Sequence, residues 1–218
     1  MPSKAKPSDE RLDETTFAKG KRYLKRKDPE LKAWIDRVGN IDLRQEPHAF
    51  RTLCRSILAQ QLATAAARTI HARFADLFPR KTPTASRLAE MDPETLRPCG
   101  ISARKAEYMI TLAKEFHSGS LKGVRFAKLD NESIIEKLSA LPGIGRWTAE
   151  MFLIFSLGRL DVFSRGDLAL RNGMQRVLGE SESIPPKKSI EIAERWAPYR
   201  SIASLYLWKI SHWSDDKN

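Results

Sequence analysis

Leu138-Ser139-Ala140-Leu141-Pro142-Gly143-Ile144-Gly145-Arg146-Trp147-Thr148-Ala149 places a tight turn between two helical runs. The apolar residues Ile134, Ile135 and Leu138 precede it at helical spacing, and a strongly apolar run from Trp147 to Leu157 follows. Gly143 and Gly145 permit positive φ and the close approach of another backbone, while Leu141 and Ile144 are suited to tuck inward and hold the turn. The unpaired amides at the start of the second helix, aided by its macrodipole, form a phosphate site that needs no base recognition. Gly143, Ile144, Gly145, Arg146 and Thr148 are therefore the expected phosphate contacts, with Arg146 adding a charge-assisted one. A Pro-Gly turn also occurs between helices of proteins that bind nothing, so the turn needs support from the rest of the chain.

Working outward, nearly every readable segment has helical period. Phe50, Leu53, Cys54, Ile57 and Leu58 follow the i, i+3, i+4, i+7, i+8 pattern of one buried face. Ala67, Ile70 and Phe74 carry a second helix toward Leu77, and Asp92-Pro93-Glu94 is an N-cap, a first-turn proline and a first-turn acid stopped by Gly100. Ser102 caps a helix through Ala106, Met109, Ile110, Ala113 and Phe116, closed near Gly119. Further helices are expected over 167–178, 186–196 and 199–213. Strand signals are nearly absent, so the fold class is all-α, built as small bundles rather than a solenoid.

The 218 residues carry 38 Lys plus Arg against 27 Asp plus Glu, a net charge of +11, which fits a polyanionic partner. Residues 1–27 hold nine basic and four acidic side chains, and 1–23 read as a basic, partly disordered tail. The longest apolar run, Met151 to Gly158, is far short of the roughly 20 residues that span a bilayer. No membrane partner is expected, and no signal peptide is read. Cys54 and Cys99 stand far apart among apolar neighbours, and His48, His71, His117 and His212 show no zinc spacing, so a reducing, intracellular setting fits.

Beyond the hairpin, Asp161-Val162-Phe163 leads to Ser164-Arg165-Gly166-Asp167, and this order of motifs resembles the helix-hairpin-helix DNA glycosylase superfamily of base excision repair. Within it the resemblance is to the alkylation-repair, DNA-3-methyladenine glycosylase II type. It rests on Ile57-Leu58-Ala59-Gln60-Gln61, Arg104-Lys105-Ala106-Glu107, the hairpin, Asp161-Val162-Phe163 and Ala193-Glu194-Arg195-Trp196-Ala197-Pro198-Tyr199-Arg200-Ser201, and it spans roughly 47–213. It implies two helical lobes flanking a DNA-binding cleft: residues 24–47 plus 160–218 forming one interrupted lobe, and 48–159 the lobe with the hairpin (131–157). The β-rich N-terminal domain of some relatives is not expected.

The resemblance makes Asp167 the catalytic carboxylate, Trp147, Met151 and Trp208 the pocket for a flipped base, and Gln61 or Leu62 the wedge that fills the vacated stack. Met151 stands where relatives can carry a tyrosine. A carboxylate beside the anomeric carbon stabilises positive charge that develops on the sugar, and indole faces favour a cationic alkylated base such as 3-methyladenine. Asp167 could instead only cap the next helix, Trp147 and Trp208 could be core residues, and Gln61 a plain loop residue.

Bifunctional members place a Schiff-base lysine where this chain has Trp147, so hydrolysis alone is expected, leaving an abasic site. Two cysteines cannot hold the iron-sulfur cluster of other members, so no cofactor is required. The backbone carbonyls of Ser139, Leu141 and Ile144 are candidate donors to a monovalent cation, Na+ or K+. The expected partner is double-stranded DNA containing alkylated bases, met by a monomer in the cytoplasm, nucleoid or nucleus. The alternative is a non-catalytic helix-hairpin-helix module that binds bent or damaged DNA, for which Asp167 and the tryptophans have no use.

Overall fold

The computed structural model describes residues 10–43, 46–62 and 64–214, and among them there is no β-strand. The helices are α1 (Glu14–Lys27), α2 (Pro29–Val38), α3 (Ala49–Ala59), α4 (Thr64–Asp76), α5 (Ala85–Ala89), α6 (Ala103–His117), α7 (Asn131–Ser139), α8 (Arg146–Phe155), α9 (Leu168–Leu178), α10 (Pro186–Ala193) and α11 (Arg200–Ser211). The chain is all-α, as its periodicity predicts. Among the described residues no helix is long and apolar enough to cross a membrane.

The helices fall into two compact units. Among the described residues, one runs within 46–157 and the other joins 10–43 to 158–214. In the continuous unit, here the hairpin unit, Leu53, Ile57 and Leu58 of α3 are at most 1% exposed, and α3 packs on α4, α6 and α8. Its two ends are stitched together by the Glu46 amide, which donates to the Phe155 carbonyl at 3.1 Å. Both cysteines are buried in this unit and unbridged. Burial pushes the Cys54 thiol far above its usual range, which leaves it an inert core group.

In the interrupted unit the Leu12 amide donates to the Gly158 carbonyl at 2.7 Å, so the two chain segments are joined where the second begins. Its core is Leu24, Leu31, Ile35, Leu170, Met174, Trp196, Tyr206 and Leu207, none measurably exposed. Asp28 caps α2 by accepting from the Leu31 amide at 2.9 Å, and its second oxygen accepts from the Trp196 indole at 2.7 Å. Arg195 lies 3.4 Å from the same oxygen, so this buried carboxylate has the charge partner that burial demands.

Residues 14–23, read from sequence as the end of a basic, partly disordered tail, are the first turns of α1. Asp13 and Thr16 form a reciprocal capping box there, and Phe17, Gly20 and Leu24 face the core. Six basic residues in α1 hide that apolar stripe in any compositional reading. Residues 1–9 of the expected tail lie outside the described residues.

Candidate active site and DNA-backbone hairpin

The hairpin turn is held from three sides. Gly143 sits at φ +80°, and a Cβ there would fall 2.2 Å from the Tyr108 ring, so the turn and the ring occupy one space that only glycine leaves open. The Ile144 amide donates to the Leu141 carbonyl at 3.2 Å, and Ile144 is 4% exposed. From the end of α3, the Gln60 side chain donates from Nε2 to the Gly143 carbonyl at 2.9 Å and to the Thr148 hydroxyl at 3.4 Å.

Gly145 departs from the expectation of positive φ. It is the N-cap of α8 at φ −88°, ψ 172°, gives no side-chain acceptor to the first turn, and a Cβ on it would meet nothing within 4 Å. Nothing inside the fold demands glycine there.

Two expected backbone contacts turn out to have internal employment. The Arg146 guanidinium forks onto Glu132 of α7 at 2.5 and 3.0 Å and reaches the Glu150 carboxylate at 3.1 Å. These carboxylates raise its pKa and brace α7 against α8. Thr148 is buried, its hydroxyl committed to Gln60, so only its backbone faces the helix start. Glu150 is the i,i+4 neighbour that helical spacing offers, whereas Glu132 and Gln60 lie 14 and 88 residues away from their partners and are not legible in the motif.

Trp147 stands in the first turn of α8 at 42% exposure, while Met151 one turn on is 6% exposed. Gln61 has φ +57°, rare for a residue with a side chain, and Leu62 beside it is 38% exposed. Among the described residues the exposed large apolar side chains are Leu62, Trp147 and Leu168, and Leu168 follows Asp167 directly.

In the interrupted unit Asp167 is 8% exposed and caps α9: its Oδ1 accepts from the Leu170 amide at 3.0 Å. Its Oδ2 accepts from the Trp208 indole N–H at 3.1 Å. The structure therefore brings Asp167 and Trp208 together, and Trp208 orients the carboxylate, a role its sequence position did not announce. Capping and orientation are compatible, since each uses a different oxygen.

The loop that delivers Asp167 is clamped by residues far along the chain. Arg200 donates from Nε to Asp161 Oδ1 at 2.7 Å and from a terminal nitrogen to Oδ2 at 2.9 Å. Ser201 accepts from the Val162 amide at 3.0 Å and donates to the Arg159 carbonyl at 2.6 Å. Asp161-Val162 and Arg200-Ser201, separate pieces in the sequence, are one clamp in space. Gly173 adds the last constraint: a Cβ there would lie 2.2 Å from the Leu207 carbonyl oxygen, so α9 and α11 approach backbone to backbone and carry Asp167 and Trp208 into register. A lone mid-helix glycine gave no such signal in sequence.

Comparison with known proteins agrees with this arrangement. Residues 54–198 match the model of the HhH-GPD superfamily base excision DNA repair protein. DNA-3-methyladenine glycosylase 1 of Schizosaccharomyces pombe is 37% identical over 207 residues, covering 92% of this chain and 90% of the relative. DNA-3-methyladenine glycosylase 2 of Escherichia coli is 34% identical over 178 residues, covering 78% of this chain and 60% of the relative. Among solved structures, the S. pombe 3-methyladenine DNA glycosylase Mag1 in complex with abasic DNA superposes with a TM-score of 0.83 at 35% identity, covering 92% of this chain and all of that one. With its helical hairpin, its capped and indole-bound aspartate and these matches, the chain belongs to the HhH-GPD superfamily of base excision DNA repair proteins.

Proposed function

We propose that the protein is a monofunctional DNA glycosylase that flips an alkylated base such as 3-methyladenine out of duplex DNA and hydrolyses its bond to deoxyribose. The observation that carries this reading is Asp167, a nearly buried carboxylate whose two oxygens are fixed by the Leu170 amide and the Trp208 indole. The names of the relatives support the substrate class, and the abasic DNA bound to one of them supports the product.

The C1′–N bond breaks with its electron pair leaving on the base, which neutralises the positive charge an alkylated purine already carries. Positive charge then develops on the sugar, and a carboxylate held in place stabilises that state more than the ground state. A water oxygen bonds to C1′ and its proton departs to Asp167 or solvent, leaving an abasic site. The residue two after Gly145 is Trp147, which has no amine for a Schiff base, so the strand stays intact.

On the hairpin, Gly143, Ile144, Gly145, Arg146 and Thr148 offer backbone to a phosphate, with Gly145 left bare for its approach. The carbonyls of Ser139, Leu141 and Ile144 are neutral oxygen donors of the kind a monovalent cation takes; Leu141 has one lone pair engaged by Ile144 and a second to give. The chemistry needs no cofactor. The protein acts as a monomer wherever the cell keeps its DNA. Incubating it with methylated duplex and measuring free bases tests the whole reading: wild type releases alkylated purines, and Asp167→Asn loses at least about a hundredfold in rate. A wild type that binds DNA without releasing bases would leave it a binding module, and undiminished release by Asp167→Asn would remove the carboxylate from the mechanism.

A further inference from the structure

Gln61 and Leu62 project from the end of α3, and Gln61 does so in a left-handed conformation that costs on the order of 1–3 kcal/mol and persists only where surroundings enforce it. The enforcement is visible. The Lys105 ammonium, reaching across from α6, donates to the Leu58 carbonyl at 3.0 Å and to the Gln60 carbonyl at 2.7 Å. These are carbonyls of the final turn of α3 and the residue after it, which no helical amide continues to serve; the Leu62 amide instead turns back to Ala59 at 3.3 Å. A cation at a helix C-terminus is also favoured by the macrodipole. On the other side, Gln60 is tied to the Gly143 carbonyl and the Thr148 hydroxyl. Residues 60–62 are thus tethered at once to α6 and to the phosphate-gripping turn, all within the hairpin unit.

We infer that Lys105 is a positioning residue for base flipping: with Gln60 it makes the exposed pair Gln61 and Leu62 rigid with the hairpin, so that gripping the backbone also drives a side chain into the stack. The inference rests on the wedge reading of Gln61 and Leu62 proposed from the family resemblance. Its physical content is that unstacking a base costs a few kcal/mol, which a loop free to deflect cannot deliver. Burial lowers the Lys105 pKa, but the two carbonyl acceptors hold the ammonium in place.

The test compares wild type, Lys105→Met, which keeps the stem and removes the donors, and Lys105→Arg, which restores them. The readout is the fluorescence of 2-aminopurine placed beside a methylated adenine in duplex DNA, which rises on unstacking and needs no hydrolysis. Base release is measured in parallel from that duplex and from the same base in a single-nucleotide bulge. Expected are an equal grip on DNA, a fluorescence rise for wild type and Lys105→Arg that Lys105→Met lacks, and release by Lys105→Met reduced about tenfold or more on the paired duplex, from loss of charge-assisted bonds. On the bulge its release stays within about threefold of wild type, because that base is already unstacked. A merely structural defect would lower both substrates alike, and that result, or a full fluorescence rise in Lys105→Met, overturns the inference. Should Lys105→Met fail to fold, Gln60→Leu cuts the same tether from the hairpin side; because Gln60 also holds the turn, the variant's Kd for duplex is measured first and DNA is kept saturating, and the missing fluorescence rise and the contrast between paired and bulged substrates are expected at equal occupancy. A wild type that raises fluorescence but releases no base defeats the hydrolytic reading and leaves this inference standing.

Discussion

The two hairpin glycines should respond to alanine in opposite ways. Gly143→Ala must place a Cβ at φ +80°, a left-handed penalty of about 1–2 kcal/mol. It must also fit that atom 2.2 Å from Tyr108 Cδ2 and 2.6 Å from Cγ, where the ring is anchored close to its own backbone and cannot swing away cheaply. Overpacking of this kind costs about 1–3 kcal/mol, for a total of about 2–5 kcal/mol. For a chain of this size that is a fall in Tm of roughly 4–20 °C. Gly145→Ala meets nothing within 4 Å and keeps an ordinary backbone angle of −88°, so folding tolerates it and unfolded-state entropy favours it by about 0.4–1 kcal/mol. Its Cβ stands instead where a phosphate approaches the first amides of α8. Losing one charge-assisted contact costs about 1.5–3 kcal/mol, roughly a 10- to 150-fold rise in Kd. Thermal melts and fluorescence anisotropy on undamaged duplexes of several sequences read both effects. Gly145→Ala binding as tightly as wild type would refute the account of the hairpin surface, and Gly143→Ala melting unchanged would refute the packing account beneath it.

Trp208→Phe keeps an aromatic face but replaces the indole and deletes its donor to Asp167 Oδ2, so single-turnover base release should fall about tenfold or more while duplex affinity holds; an unchanged rate would show that the indole does not orient the carboxylate. His71 has its pKa lowered by burial, reinforced by Arg55. Its folded pKa thus lies below the unfolded value of 6.5, and its contribution to stability is full above that pH and fades as pH falls through the folded pKa. Urea unfolding at pH 7.5 and 5.5 should show wild type losing more on acidification than His71→Gln, and parallel losses would remove His71 as the source.

Where the sequence was legible, the signal was local. The helices from α3 onward repeat apolar residues at the helical period, and Asp130, Asp92 and Ser102 cap as their positions imply, because a cap and the amide it serves lie within three residues. Asp28-Pro29 is the same signal at the start of α2, but the surrounding basic residues of α1 masked it. Reading residues 14–23 into a tail missed the first turns of α1 because net charge and solvation describe the exposed face, while Phe17 is buried against Tyr206, hundreds of ångströms of extended chain away.

What the sequence alone determined is the all-α class and the hairpin, written in helical periodicity and local turn chemistry, together with the candidate aspartate implied by an order of motifs that resembles the glycosylase superfamily. What only tertiary structure decided is how those residues are employed. Arg146 became a brace because Glu132 and Glu150 converge on it, Trp208 an orienting donor because Gly173 lets α11 close on α9, and Lys105 a tether because α6 lies against the end of α3. Even the hairpin's two glycines, alike in sequence, divide into one that the fold requires and one that it leaves vacant. A charged or aromatic side chain carries its chemistry in its identity, but its partner is set by distance in space, and partners separated by 14, 41 or 45 residues leave no periodicity to read.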